Sequence, residues 1–428
     1  MSRIRYAGFA EESVYGTKKD AQFHVDIASA SLDLPNDSKI EYEGGLSRTR
    51  RTVRSGYYTP SGDVVYAFDI ETIGALLKWA LGGYFFTNSG GSGTHHLHEI
   101  WGNNNFILPS FTTEIGKDLF EHIFTGCTVN SLTLSVEDGY GTVTLNIQAK
   151  DDEQGSIKVI GDLIIGNAYP IVFHEVTVSR VGDAPYTARV KTLNLVINNN
   201  ISADAGRRLG SNTPVLMPVG KRETDLSMNL YYDSIEEINR FKANSEFPLN
   251  ITFNGGTFGT MVINLPKCAN NEVSTQATGI DEIDHSVTVH PYADSILLDD
   301  GTTTIDTEIY VKVENNITEI DTIPATPKVI SASTNGAGTE ISIEFNVDME
   351  DPTGKYGEFV YQINNAAPQP FDSAALGSAD TVIVLTCDGD AISAGDMVTV
   401  TYTRGTVVSD DGGILQSFAK QPVNNIMV

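Results

Sequence analysis

Apolar and polar residues alternate one by one through much of this chain. The segments FHVDIA (residues 23–28), VVYAFDI (64–70), NSLTLSV (130–136) and TVTLNIQA (142–149) all show the period. A two-residue period places one face of a strand against a core and the other in solvent. Enrichment in Val, Thr, Tyr and Phe agrees with strand. DGYG (Asp138–Gly141) stands between two such segments and reads as a hairpin turn. A helical period occurs twice. Over Glu71–Leu81, residues Ile73, Leu76, Leu77 and Ala80 share a face, and Gly82-Gly83 ends the run. Over Ser234–Phe241, Ile235, Ile238 and Phe241 supply the apolar face. The pattern predicts a mainly β protein.

The order of elements repeats. SLDLPNDSKI (31–40) matches TLNLVINNNI (192–201) at an offset of 161. Each is followed by an arginine-bearing, glycine-punctuated stretch, Gly44–Gly56 and Ala205–Gly220. An alternating strand (Val64–Asp69, Met228–Asp233) and the short helix come next. Cys127 and Cys268 occupy matching places further on. The reading is two tandem β-sandwich or barrel units, 1–165 and 166–316, each with a flanking α-helix. Residues 317–326 read as a linker. Residues 327–428 form a third unit, poor in basic residues, with clear strands in EISIEFNVDM, TVIVLTCDG and MVTVTYTRG. About a hundred residues of this kind suggest an immunoglobulin-like β-sandwich. Two similar wedges per chain allow a ring to close with half the subunits.

Charge narrows the function. The chain carries 28 Lys and Arg against 55 Asp and Glu, a net charge of −27. A stable nucleic-acid binder concentrates cations on one face. A surface that nucleic acid must pass without sticking benefits instead from like-charge repulsion, although the same charge also serves solubility. No apolar run approaches the ~20 residues of a membrane span, and the first residues lack a signal core, so assembly in a cytoplasm is expected. Three widely spaced cysteines make no disulfide framework.

Candidate chemistry is sparse. His95, His96 and His98 beside Glu99 could begin a zinc site, but no distant ligand cluster completes it. Asp281, Glu282 and Asp284, and the Asp-Asp-Gly runs at 299–301 and 410–412, lack the full spacing of a calcium loop. No nucleophile elbow, phosphate-binding loop or dinucleotide fingerprint is present. The expectation is a protein without catalytic residues, cofactor or metal. Arg48, Arg50, Arg51 and Arg54 form a dense basic cluster. Arg207, Arg208, Lys221 and Arg222 are its looser counterpart. In so acidic a body such arms should seek carboxylates on a neighbouring subunit.

Gly8, Glu11, Glu12, Ser13, Tyr15, Gly16 and Thr17 resemble the opening of tailed-phage tail tube proteins. The Arg-containing loop RTRRTVRSG, the helix ETIGALLKWALGG and the strand Gly126–Leu134 also resemble that family, so the likeness covers roughly residues 6–310. The C-terminal unit resembles a bacterial immunoglobulin-like, SwmB-type repeat, in ATPKVISASTNG, AGDMVTVTYTRGTVVSDDGG and QPVNN.

The resemblance implies a virion structural protein whose rings stack into a hollow tube. With two units per chain it implies a homotrimer with pseudo-sixfold symmetry. Genomic DNA would pass through the lumen during ejection without specific binding. Other partners implied are the tape measure, tail terminator and distal tail proteins, and a sheath if the tail contracts. The C-terminal unit would decorate the exterior. Glu137, Asp138, Asp281 and Asp284 are candidates for the acidic lumen. Arg48, Arg50, Arg51, Arg54, Arg207 and Arg208, on the loops 41–62 and 202–220, are candidates for contacts between rings or subunits. The alternative is a surface adhesin with an immunoglobulin-like binding module.

Overall fold

The computed structural model describes residues 5–34, 39–42, 52–87, 95–180, 186–276, 283–317, 320, 327–388, 392–410, 415 and 417–427. The chain is mainly β and divides into two compact units. One comprises 1–163 and 168–322; the other comprises 164–167 and 323–428.

The strands of the larger unit are β1 (Arg5–Glu11), β2 (Phe23–Val25), β3 (Ser29–Ala30), β4 (Lys39–Tyr42), β5 (Thr52–Ser55) and β6 (Ser61–Ala67). Helix α1 (Ile73–Leu81) precedes β7 (Gly82–Thr87), β8 (His96–Gly102), β9 (Phe111–Lys117), β10 (Phe120–Val136), β11 (Thr142–Gln148) and β12 (Asp151–Ser156). Then follow β13 (Val176–Arg180), β14 (Val190–Asn198), β15 (Glu223–Tyr231), α2 (Glu236–Ala243), β16 (Phe247–Asn254), β17 (Thr260–Gln276) and β18 (Asp284–Tyr292). The unit ends with β19 (Asp294–Leu297), β20 (Thr304–Thr307) and β21 (Tyr310–Asn315). β4–β5 and β19–β20 are separate ribbons. The other strands form one connected, barrel-like antiparallel sheet.

Eight of those strands form a continuous ladder in the order β3, β6, β11, β10, β14, β15, β18, β17. β10 and β17 are each seventeen residues long and serve two layers. Their C-terminal halves run in the ladder. Their N-terminal halves pair with β9 and β16, which carry β1 and β13 beyond them. A shift of register marks the crossing in both. Phe124 faces Thr113, then Cys127 faces Phe111; Leu265 faces Leu249, then Cys268 faces Phe247. Each cysteine is fully buried, and its thiol donates three residues back, Cys127 to Phe124 O and Cys268 to Leu265 O. The next irregularity also recurs. Val129 faces Ile147 and Ser131 faces Asn146, while Asn270 faces Val289 and Glu272 faces Thr288.

Helix α1 is capped by Asp69, whose Oδ1 accepts the amides of Glu71 (2.9 Å) and Thr72 (2.8 Å). Gly82 ends it at φ 80°, where a side chain would be strained. Every residue of α1 except Lys78 is buried. Trp79 stacks on Phe111 at 4.5 Å and lies beside Phe9 and Phe23, forming the aromatic centre of this half. Helix α2 departs from its expected face. Ile235 and Phe241 are 59% and 42% exposed, and the fully buried side chain is Glu237, held by Arg180 at 2.9 Å. Arg180 sits on β13 opposite Leu249, where β1 has Phe9 opposite Thr113. The second half therefore fills with an ion pair the place that the first fills with aromatic rings.

The smaller unit contains β22 (Val329–Thr334), β23 (Glu340–Phe345), β24 (Phe359–Ile363), β25 (Gln369–Leu376), β26 (Val382–Cys387), β27 (Val398–Tyr402) and β28 (Phe418–Val423). Two antiparallel ladders share β25, which pairs with β26 through most of its length and with β24 at its start. Ile341, Phe345, Tyr361, Ile383, Leu385 and Val400 fill its core.

Candidate functional site

The ladder has two unlike faces because its strands alternate. Leu132, Leu134, Val143, Leu145, Leu195, Ile197, Leu226 and Val289 are fully buried on one side. The other side carries amides and hydroxyls bonded to one another. Asn146 Nδ2 donates to Asp63 Oδ1 at 2.6 Å, Asn130 Nδ2 donates to Asn146 Oδ1 at 2.9 Å, and Asn130 Oδ1 accepts the Ile201 amide at 3.0 Å. Ser135 Oγ donates to Asn194 Oδ1 at 2.9 Å across the β10–β14 junction. Ser286 Oγ donates to Asn229 Oδ1 at 2.7 Å between β18 and β15. Side chains so engaged offer few free donors to a phosphate. Asp63 on β6 and Asp225 on β15 add negative charge, and His290 lies 3.4 Å from Asp225.

Sequence reasoning missed Asp63 and Asp225. Their signal was their polar slot in SGDVVYA and ETDLSMNLY. Glu137 and Asp138 are exposed in the β10–β11 turn, at the end of the ladder rather than along its face. Asp284 opens β18, and Asp281 lies outside the described residues.

Of the first arginine cluster, Arg54 is exposed on the β4–β5 ribbon opposite Ile40. Arg48, Arg50 and Arg51 lie outside the described residues. Arg207 lies over the Tyr57 ring at 4.1 Å and pairs with Asp204 at 3.0 Å. Arg208 donates to the carbonyls of Ala205 and Arg207. Tyr57 in turn donates to Ala203 O at 2.9 Å, and the Tyr58 amide to Asn212 O at 3.0 Å. The chain leaving the first arginine loop thus packs on the second.

The carboxylates of the opening motif act as clamps. Glu11 accepts the Trp79 indole N–H at 2.7 Å and pairs with Lys78 at 2.6 Å, fixing β1 to α1. Buried Glu12 accepts the amides of Gly16 (2.7 Å) and Gly126 (2.8 Å) and the hydroxyls of Ser110 (2.8 Å) and Thr112 (3.0 Å). Gly16 holds φ 72°, and a Cβ at this position would run into the Lys150 side chain.

His98 is held by structural hydrogen bonds. His98 Nε2 meets Ile317 O at 2.8 Å and Nδ1 meets the Tyr84 hydroxyl at 3.0 Å. Burial pushes its pKa down to about 4. Among the described residues no group of His, Cys, Asp or Glu is placed to hold a metal ion, and no helix is long and apolar enough to cross a membrane.

A long antiparallel ladder, buried on one face and carrying hydrogen-bonded polar groups on the other, defines a β structural scaffold. The family model for phage tail tube protein matches residues 2–291, more than half of the chain, and the chain belongs to that family. It is a structural component of a virion tail. No curated protein matches the chain.

Proposed function

We propose that this protein forms rings that stack into the hollow tube of a phage tail, and that DNA passes through the tube during ejection. The observation that carries the reading is the eight-strand ladder with one polar face. Matching registers and matching cysteines on its two halves support an internal repeat. Three chains would then supply six similar wedges around one axis. The polar face lines the lumen. Its hydroxyls, amides and carboxylates keep DNA mobile, where a cationic face would bind many phosphates at once. Glu137 and Asp138 stand at the rim of that face.

The loops bearing Arg54, Arg207 and Arg208, with Arg48, Arg50 and Arg51, make the contacts between rings. The smaller unit is an immunoglobulin-like domain on the exterior. Other tail proteins cap the tube and fill it before ejection. Electron microscopy with mass measurement in solution tests the reading. Hollow tubes, or three-chain rings with six lobes, are expected. A compact dimer without a channel would overturn it.

A further inference from the structure

The in-chain junction between β10 and β14 has a counterpart with no strand on one side among the described residues. Ser131–Val136 lies between β11 and β14. The shared registers carry Cys127 to Cys268 and Ser131 to Glu272, so Glu272–Gln276 corresponds to Ser131–Ser135. Among the described pairings, Glu272–Gln276 has β18 on one side and no strand on the other. Burial follows. Leu132 and Leu134 are fully covered, whereas Val273 is half-buried and Thr275 is exposed.

The missing strand can be identified by the same register. β14 pairs with β15 as β3 pairs with β6: Leu193 faces Met228, and Ala30 faces Val64. Asp33 continues this, bonding Ser61 in both directions (3.4 and 3.1 Å). Asp33 therefore turns its backbone groups towards β6, and Leu32 and Leu34 turn theirs the other way. That outer edge has side-chain partners: Leu32 O accepts the Lys117 ammonium at 3.3 Å, and the Leu34 amide donates to Asp33 Oδ1 at 2.8 Å. Leu34 is 41% exposed, whereas its counterpart Ile197 is fully buried beneath β10.

A groove beside each edge agrees. At the in-chain junction, Val136 shares an apolar groove with Val176, Val190 and Leu193. The same offsets lead to Arg5, Ile27 and Ala30, and these line an open groove beside the Ser31–Leu34 edge.

We propose that the Glu272–Gln276 edge of one copy pairs antiparallel with Ser31–Leu34 of a second copy, with Val273 opposite Leu34, Ser274 opposite Asp33 and Thr275 opposite Leu32. This rests on the ring reading and deepens it: the contact between chains reproduces the contact within the chain. An exposed strand edge is a template for such addition. The sheet then continues from copy to copy, polar face on one side throughout.

Ser274 and Asp33 form a pair without mutual backbone bonds, the closer kind, and this makes a cysteine test sharp. The D33C/S274C double variant, oxidised, should give disulfide-linked dimers and trimers at least tenfold above either single variant and above the off-register pair D33C/T275C. A second variant, Val273→Pro, removes an amide that would face the neighbouring copy. It should abolish rings while the monomer keeps its circular dichroism and melting temperature. Three-chain rings with no preference for the D33C/S274C pair, or rings undisturbed by Val273→Pro, would overturn the register and leave the ring reading standing. A chain that never forms rings would overturn both.

Discussion

Glu12 accepts the Gly126 amide at 2.8 Å across 114 residues of sequence, tying the turn after β1 to the point where β10 changes layers. Gly126 holds φ 60° there, so few side chains would fit. One buried carboxylate thus fixes both the turn after β1 and the bend of β10, one of the two longest strands. Glu12→Ala strands two backbone and two hydroxyl donors. Each unmet buried donor costs about 1–3 kcal/mol, so a loss of at least about 3 kcal/mol is expected in urea unfolding. Glu12→Gln should lose less, since its amide oxygen still accepts. Equal stability of wild type and Glu12→Ala would refute the clamp.

The Arg180–Glu237 pair gives a second prediction. Both side chains are fully buried, and Asn270 Nδ2 donates to Glu237 Oε2 at 2.9 Å. Removing one partner leaves a buried charge, a loss of about 3–5 kcal/mol. Arg180→Met and Glu237→Leu should each fall in that range. The double variant should recover most of the loss, because the matching site on β1 is filled by Phe9. A strictly additive double variant in a thermal melt would count against this.

That pair also shows where the sequence stopped being legible. Alternation revealed the β10–β11 hairpin, and the 73–76–77–80 spacing revealed α1, because both are local patterns. The buried face of α2 depends on Arg180, 57 residues before Glu237, and no local period contains it. The repeat offset has a similar origin. Matching letters gave a step of 161 residues, whereas strand pairing aligns Ala30 with Leu193, a step of 163. A slip of two residues keeps every side chain on its face, so alternation cannot detect it. The polar face is encoded in the alternate positions of the strands, whereas Glu137 and Asp138 belong to a turn, where acidity serves solvation.

Stability should depend on pH through two buried groups of opposite sign. Burial pushes Asp69 up to about 7, so the folded chain holds a proton that the unfolded chain releases near pH 4. Its contribution is therefore greatest at low pH and is lost as pH rises from about 4 to about 7. His98, pushed down to about 4, acts the other way: its contribution is present above about pH 6.5 and is lost as pH falls towards 4. Asp69→Asn keeps the cap acceptor and removes the first dependence. Melting curves between pH 4 and 8 should show wild type losing ground to Asp69→Asn as pH rises. Parallel profiles would contradict the role of Asp69.

Arg54, Arg207 and Arg208 are exposed, and the largest intrachain contact among them is that of Arg207 with the Tyr57 ring, so replacing all three should cost the monomer no more than about 1 kcal/mol. If they join rings to rings, Arg54→Ala with Arg207→Ala and Arg208→Ala should yield separate rings and shorter tubes. Ionic contacts are screened by salt, so wild-type tubes should shorten likewise as salt rises. Sedimentation of assembled material measures both. Tubes of wild-type length from the triple variant would remove these residues from the stacking contact.

The polar face makes the last prediction. Thr144 on β11 and Ser286 on β18 occupy corresponding slots, opposite Val65 and Asn229. Replacing both with Lys puts two cations per chain on the face assigned to the lumen, and neither change touches the buried side. In a three-chain ring the new charges form a belt that repeats along the tube, and each phosphate neutralised releases a counterion. Tubes of the T144K/S286K variant should retain double-stranded DNA fragments at 50 mM salt and release them near 200 mM, while wild-type tubes retain none at either. Retention should also fall when the tube ends are blocked by other tail proteins, since the face is reached only from the ends. Binding that ignores blocked ends would place these strands on the exterior, and no gain of binding in open tubes would remove the polar face from the path of DNA.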